Sequence, residues 1–267
     1  MTTENNWRFI DTGSADGAFN MAADEALARS IISNQPVVRV YRWQPYAISI
    51  GYNQNFHELN RAKCTEDGID IVRRPTGGGA IFHAHELTYS VIIPRSHFYY
   101  EKNNIDLYNQ ISSAIIRALN YQGSPVALEK KSPDVTGANR EQHYFACFVT
   151  SAQYEIHYQS KKLVGSAQRR FKNAVLQHGS VILGDEHRRI LDYMSLQESD
   201  KTRDLKELLH ENTVSLQTIL NRNIAYKELV QNMKAGFEDH FKIHLEVKNL
   251  TDEELNVINV LKTNYMS

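Results

Sequence analysis

Apolar positions recur along this chain with two periods, and the switch between them maps the expected elements. Trp7–Asp11 is a short strand-like run. Asp16 can cap a helix running to about Ile32, with Phe19, Ala23, Ala26 and Leu27 on adjoining turns. Two β-rich runs follow, Val37–Trp43 and Tyr46–Ile50, separated by Gln44-Pro45. Leu59–Asp67 reads as helix and Ile69–Val72 as a strand entering a glycine-rich turn. Ala80–Phe82 and Leu87–Ile93 read as a pair of strands. Between Ile105 and Tyr121, apolar residues at 108, 111, 115 and 119 form a helical stripe. Short β runs then come at Val126–Leu128, Phe145–Val149, Tyr154–Tyr158, Leu163–Val164 and Val181–Leu183.

After about residue 186 the period lengthens. Leu205–Leu209, Val214–Leu220 and Tyr226–Phe241 read as helices, Ile243–Val247 as a last strand and Asp252–Tyr265 as a last helix. Strands dominate early and do not alternate strictly with helices, so the pattern predicts an α+β fold with a mixed, mostly antiparallel sheet flanked by helices. No Pro/Gly/Ser-rich linker sets off the helical part. Residues 1–267 are therefore expected to form one domain, with 186–267 its mainly helical C-terminal part.

Composition narrows the classes. At 267 residues, 42% apolar and 23% charged, the chain can bury a large core. A formal net charge of −1 gives no global field toward nucleic acid or an anionic membrane, and no apolar run approaches a membrane span. The polar start MTTENNWRF is unlike a signal peptide. Two cysteines, Cys64 and Cys147, make no disulfide framework, which fits a reducing cytoplasm. No Cys/His spacing suggests a metal site.

Candidate chemistry concentrates in two segments. VRRPTGGGAIFH (Val72–His83) runs two arginines into three glycines and ends on a histidine. Bare N–H groups and the arginine pair suit a carbonyl, carboxylate or phosphate. A hairpin with solvated arginines is the alternative. The tract fits neither the dinucleotide fingerprint nor a P-loop. KKLVGSAQ (Lys161–Gln168) sets a lysine pair before a small-residue turn.

Together these segments resemble the lipoate-protein ligase and octanoyltransferase family, in which RRxxGGGAxxH and KxxGSA frame one acyl pocket. FNMAADEAL (Phe19–Leu27), VRVYRWQPYAISIGYNQ (Val38–Gln54), ELTYSV (Glu86–Val91) and LQHGSVIL (Leu176–Leu183) extend the likeness over roughly residues 7–190. The resemblance implies a biotin/lipoate protein ligase-like catalytic domain. It also implies that Arg73, Gly77, Gly78 and Gly79 line an acyl channel, with Gly165 and Ser166 in the turn that directs Lys162 into it.

Cys147, in YFACFVTSAQYEIHY, is by itself a small residue in a β run. The branch of the family that works through an acyl-enzyme resembles this stretch, and Cys147 precedes Lys162 by 15 residues as in that branch's pattern. The resemblance thus implies Cys147 as nucleophile and Lys162 as the cation holding the acyl carbonyl. His83 and His178 are candidates to orient the thiolate or the incoming amine. Cys64 reads as structural.

The expected activity is transfer of octanoyl from octanoyl-acyl carrier protein, through a cysteine thioester, to a lysine of a lipoyl-domain protein such as glycine cleavage H protein or a 2-oxoacid dehydrogenase E2. That route needs no cofactor. An ATP-dependent lipoate-protein ligase, using ATP and Mg, is the alternative, and Gly79 favours it, because the cysteine-dependent transferases often carry arginine there. A lipoyl amidotransferase remains open. Neither nucleic acid nor membrane is an expected partner.

Overall fold

The computed structural model describes residues 6–29, 34–129, 155–195 and 200–265. Among them, eight strands form one twisted mixed sheet. They are β1 (Asn6–Ala15), β2 (Val37–Trp43), β6 (Glu86–Pro94), β7 (Ala127–Glu129), β8 (Glu155–Tyr158), β9 (Lys161–Arg170), β10 (Ala174–Ile182) and β11 (His244–Val247), in the order β11-β1-β2-β6-β10-β9-β8-β7. β3 (Ala47–Ile50), β4 (Asp70–Arg73) and β5 (Ile81–His83) make a second sheet in the order β4-β3-β5. Only β1 with its two neighbours, and β3 with β4, pair in parallel.

Two features depart from the periodicity. β5 and β6 are consecutive but belong to different sheets: β5 pairs with β3, and β6 lies between β2 and β10. β9 and β10 run well past their apolar residues, through GSAQRR and LQHGS. These stretches are polar or small because one side faces a cleft, so the alternation that marks a half-buried strand is missing. The expected strand Phe145–Val149 lies outside the described residues.

Helices cover the sheet where their apolar stripes require. In α1 (Gly17–Arg29), Asp16 caps the start by accepting the Phe19 N–H at 2.7 Å. Residues Ala22, Ala23 and Ala26 of α1 pack on Ile258 of α7 (Asp252–Lys262). α3 (Asn104–Tyr121), capped by Asn103, turns Leu107, Ile111, Ile115 and Leu119 into the main core, one above another at helical spacing. α6 (Tyr226–Phe241) lies along α3 and adds Leu229, Met233 and Phe237. α2 (Arg61–Glu66) and α5 (Leu216–Leu220) are short, and α4 (Asp200–Asn212) is the remaining α-helix among the described residues. No helix among the described residues is long and apolar enough to cross a membrane.

Candidate active site

A cleft of about 460 Å³, including its mouth, runs across four neighbouring strands of the large sheet. Tyr41 and Trp43 of β2, Thr88 of β6, His178 and Gly179 of β10, and Lys162, Gly165 and Ser166 of β9 line it. Met21 of α1, and Ser49, Arg74, Ile81 and His83 from around the small sheet, complete the wall. The lining is a mainly apolar trough carrying a few fixed polar groups.

The two arginines of the glycine segment point in different directions, as adjacent residues of an extended chain must. Arg73 ends β4 and turns away from the cleft. It donates to the carbonyls of Gly51, Tyr52 and Gln54 at 2.9, 2.8 and 2.7 Å, with its guanidinium 4.7 Å from the Phe56 ring centre. Arg74 is buried on the cleft wall. It donates to the carbonyls of Gly77 (2.8 Å), Gly79 (2.7 Å) and Ser49 (2.9 Å). Its planar fork thus ties the glycine turn to β3. Gly77, Gly78 and Gly79 are not among the lining residues. Gly78 has φ of +96°, and its carbonyl lies where a side chain on Gly51 would stand.

His83 and His178 each anchor a buried polar chain at the cleft. With Asp24 ionised, His178 Nδ1–H donates to Asp24 Oδ2 at 3.0 Å, leaving Nε2 to accept the Thr76 hydroxyl at 2.6 Å. Asp24 also receives Arg39, Ser90 and Tyr41. Burial alone would raise the Asp24 carboxyl, but the His178 hydrogen bond and the Arg39 charge outweigh it and hold the carboxyl below its usual range. Burial lowers His178, so its ring is neutral near pH 7. His83 lies 2.8 Å from Glu86 through Nδ1 and 2.7 Å from the Ser49 hydroxyl through Nε2. Trp43 stacks on His83 with centroids 4.1 Å apart and donates Nε1–H to Thr88 at 2.7 Å. These groups form a rigid end to the trough.

At the other end Lys162 is 3% exposed, and its ammonium sits 2.6 Å from Glu155 Oε1. Ser166 Oγ lies 2.6 Å from the Tyr89 hydroxyl, and burial pushes that phenol up to about 12, so it stays protonated. Lys162, Gly165, Ser166, His83 and His178 therefore come together, whereas Arg73 and the three glycines support the wall from behind. Cys147 lies outside the described residues. Cys64 is the buried residue of α2, and burial raises its thiol.

Sequence patterns alone do not mark Asp24, Ser49, Thr76 or Glu155 as members of the site, and Arg74 is marked only as one of a pair. Asp24 carries a signal nonetheless: a carboxylate one turn from Ala28 and Asn20 on the alanine-rich face of the Met21–Leu27 stretch needs a buried partner. Among the described residues, no group of three or more His, Cys, Asp or Glu side chains could hold a metal ion.

The arrangement fits an acyl chain in the trough with its carbonyl toward a cation. Residues 16–238 match the lipoyl protein ligase A/B catalytic domain. The octanoyltransferase LipM of Bacillus subtilis is 34% identical over 98% of this chain and 96% of its own length. That of Clostridioides difficile is likewise 34% identical over 98% and 96%. In fold, the chain resembles a bi-partite lipoate protein ligase from Thermoplasma acidophilum, at a TM-score of 0.78 and 19% identity over 97% of this chain and 92% of the other. A lipoate-protein ligase A bound with ATP superposes at 0.75 and 20% identity, over 97% and 94%.

Proposed function

Because the chain belongs to the lipoyl protein ligase A/B catalytic-domain family, we propose that it is an octanoyltransferase that works through a cysteine thioester. The near full-length likeness to curated octanoyltransferases carries this reading, and the buried lysine on the wall of an apolar trough supports it. The donor is octanoyl-acyl carrier protein. The Cys147 thiolate attacks the thioester carbonyl, a new C–S bond forms, the old one breaks, and the carrier leaves as its thiol after taking a proton. Lys162 faces the oxygen that gains negative charge in each addition.

In the second half the neutral ε-amine of a lysine on a lipoyl-domain protein attacks the octanoyl-cysteine. The amide C–N bond forms, the C–S bond breaks, and the amine proton passes to the departing thiolate. Neutral His178, with Nδ1 on Asp24 and Nε2 on the Thr76 hydroxyl, adds no second positive charge to the cleft. Exchange of thioester for thioester is nearly balanced and thioester to amide runs downhill, so the route needs neither ATP nor a metal. A cytoplasmic setting goes with a chain of two cysteines.

The deciding experiment is intact-mass measurement after mixing the protein with octanoyl-acyl carrier protein alone. An octanoyl adduct that forms without ATP, is cleared by hydroxylamine and is absent from Cys147→Ser is the expected result. An adduct or product that needs ATP and free acid would establish the ligase route in its place.

A further inference from the structure

The pairing of Lys162 with Glu155 differs from the buried Arg8–Glu254 and Arg39–Asp24 ion pairs in how the carboxylate is bonded. Glu155 is 2% exposed and lies on β8, next to β9, beside a register shift between Ile156 and His157. Its Oε1 takes the Lys162 ammonium at 2.6 Å. Its Oε2 is fully enclosed and has no hydrogen-bond partner among the described residues, with His157 Nε2 the near neighbour at 3.9 Å. Compare Glu254, equally buried. There Arg8 donates to both oxygens, at 2.5 and 2.9 Å, and the Thr251 N–H adds a third bond at 2.8 Å. Asp24 likewise accepts on both oxygens. In both, the enclosed oxygens are bonded, because an enclosed acceptor left unpaired is unfavourable.

We propose that Glu155 is the positioning residue for Lys162, holding its ammonium at the one place on the cleft wall where an acyl oxygen meets it. This inference rests on the reading of Lys162 as the cation that faces the reacting carbonyl. The backbone of Lys162 is fixed already. Its carbonyl accepts the Val214 N–H at 3.1 Å, and β9 pairs with β10 on one side and β8 on the other. The four-carbon stem has the freedom that remains, and it carries the charge. Glu155 removes that freedom from inside the protein, so no group need cross the trough where the acyl chain lies. Its negative charge lies against a cation buried on the cleft wall. Anchoring from the protein side suits this role, because it fixes the position of the ammonium without occupying the trough.

A misplaced donor weakens the transition state more than it weakens binding of the donor substrate, so the effect belongs in kcat. The experiment uses the full chain, octanoyl-acyl carrier protein and an apo lipoyl domain, with steady-state and single-turnover acylation rates. Lys162→Ala comes first. If it keeps wild-type rates, the reading of Lys162 itself fails. If it loses activity, Glu155→Gln, Glu155→Asp and the double variant Glu155→Gln/Lys162→Ala follow. Expected are a fall of at least tenfold in kcat for Glu155→Gln with KM for the carrier substrate within about twofold, partial recovery in Glu155→Asp, and a double variant no slower than Lys162→Ala alone. Melting temperatures identify any variant that fails to fold, and Glu155→Asp, which keeps the charge, then serves as the measured arm. Wild-type kcat in Glu155→Gln, or a double variant much slower than Lys162→Ala, overturns the assignment.

Discussion

Gly51 shows how closely the site is packed behind its visible wall. A Cβ there would stand 1.9 Å from the Gly78 carbonyl oxygen, and that oxygen belongs to backbone. Gly51→Ala must therefore push the glycine turn away from β3 and strain the bonds Arg74 makes to it. We expect a loss of roughly 1–3 kcal/mol in stability. A fall in transfer rate beyond that of a control at Gly77 is also expected. The added Cβ of Gly77→Ala meets nothing within 4 Å. Chemical denaturation and octanoyl transfer on both variants check this, and equal behaviour of the two would remove Gly51 from the support of the turn. At this scale the sequence marks the right segment, but the resemblance names Arg73 for the channel where the structure puts Arg74 on the cleft wall. RRPTGGG promises cations near a flexible backbone. Which arginine faces the cleft depends on where β4 ends, and that is set by its pairing with β3 (Ile50 opposite Arg73). The Asp24–Arg39–His178 cluster is hidden for a similar reason: its members come from α1, β2 and β10, and only the assembled sheet brings them within hydrogen-bond reach.

Elements with a single apolar face are legible from their period. α3 and α6 begin and end within a residue of the periodic stretches, because each buries one stripe, and Asn103 caps the start of α3. β9 and β10 extend further than their periodicity indicates, because the residues that make a binding wall, Gly165, Ser166, His178 and Gly179, are the ones that erase alternation. The partition of β5 and β6 into different sheets is likewise beyond the pattern, since adjacency along the chain favours pairing and only the site between the sheets separates them. The α3–α6 contact offers a sharp test. Gly236 sits where a Cβ would come 2.5 Å from Ala118 N and 2.7 Å from Ala114 O. In an exposed helix Gly→Ala gains up to about 1 kcal/mol. Here Gly236→Ala should instead destabilise by about 1–3 kcal/mol as the two helices are forced apart. Differential scanning calorimetry reads the sign, and a rise in melting temperature would refute the close approach.

At the scale of the whole molecule, buried ionisable groups set an acid limit. His187 is held at about 4, chiefly by burial, and sits 3.1 Å from the Gly184 carbonyl and 2.8 Å from Thr213 Oγ1. An unfolded histidine takes up its proton near 6.5, so between pH 6.5 and 4 the unfolded chain binds a proton that the fold refuses. Stability should therefore fall with pH across that window. His187 alone accounts for about 2 kcal/mol by pH 5. His178, lowered by burial, adds in the same direction. Below that window the depressed carboxyls of Asp24, Glu86 and Glu254 begin to protonate, and stability falls again. Urea unfolding at pH 7 and pH 5 tests this. The gap between the two should narrow in His187→Gln, and a gap unchanged by the substitution would place the proton uptake elsewhere.

The parallel seat of β11 against β1 has a consequence for how the chain is made. β1 leaves the ribosome before any other described strand, yet one of its two neighbours, with Leu245 opposite Trp7 and Val247 opposite Phe9, is the last of them to be synthesised. Until then a run of open N–H and C=O groups from Asn6 to Phe9 stands at a sheet edge, with the apolar side chains of Trp7 and Phe9 awaiting cover. A nascent chain in this state is a template for pairing with its neighbours on the same messenger. The sheet is thus closed by a strand that arrives late, and synthesis stalled short of residue 244 should leave a product that clumps in place of an enzyme with reduced activity.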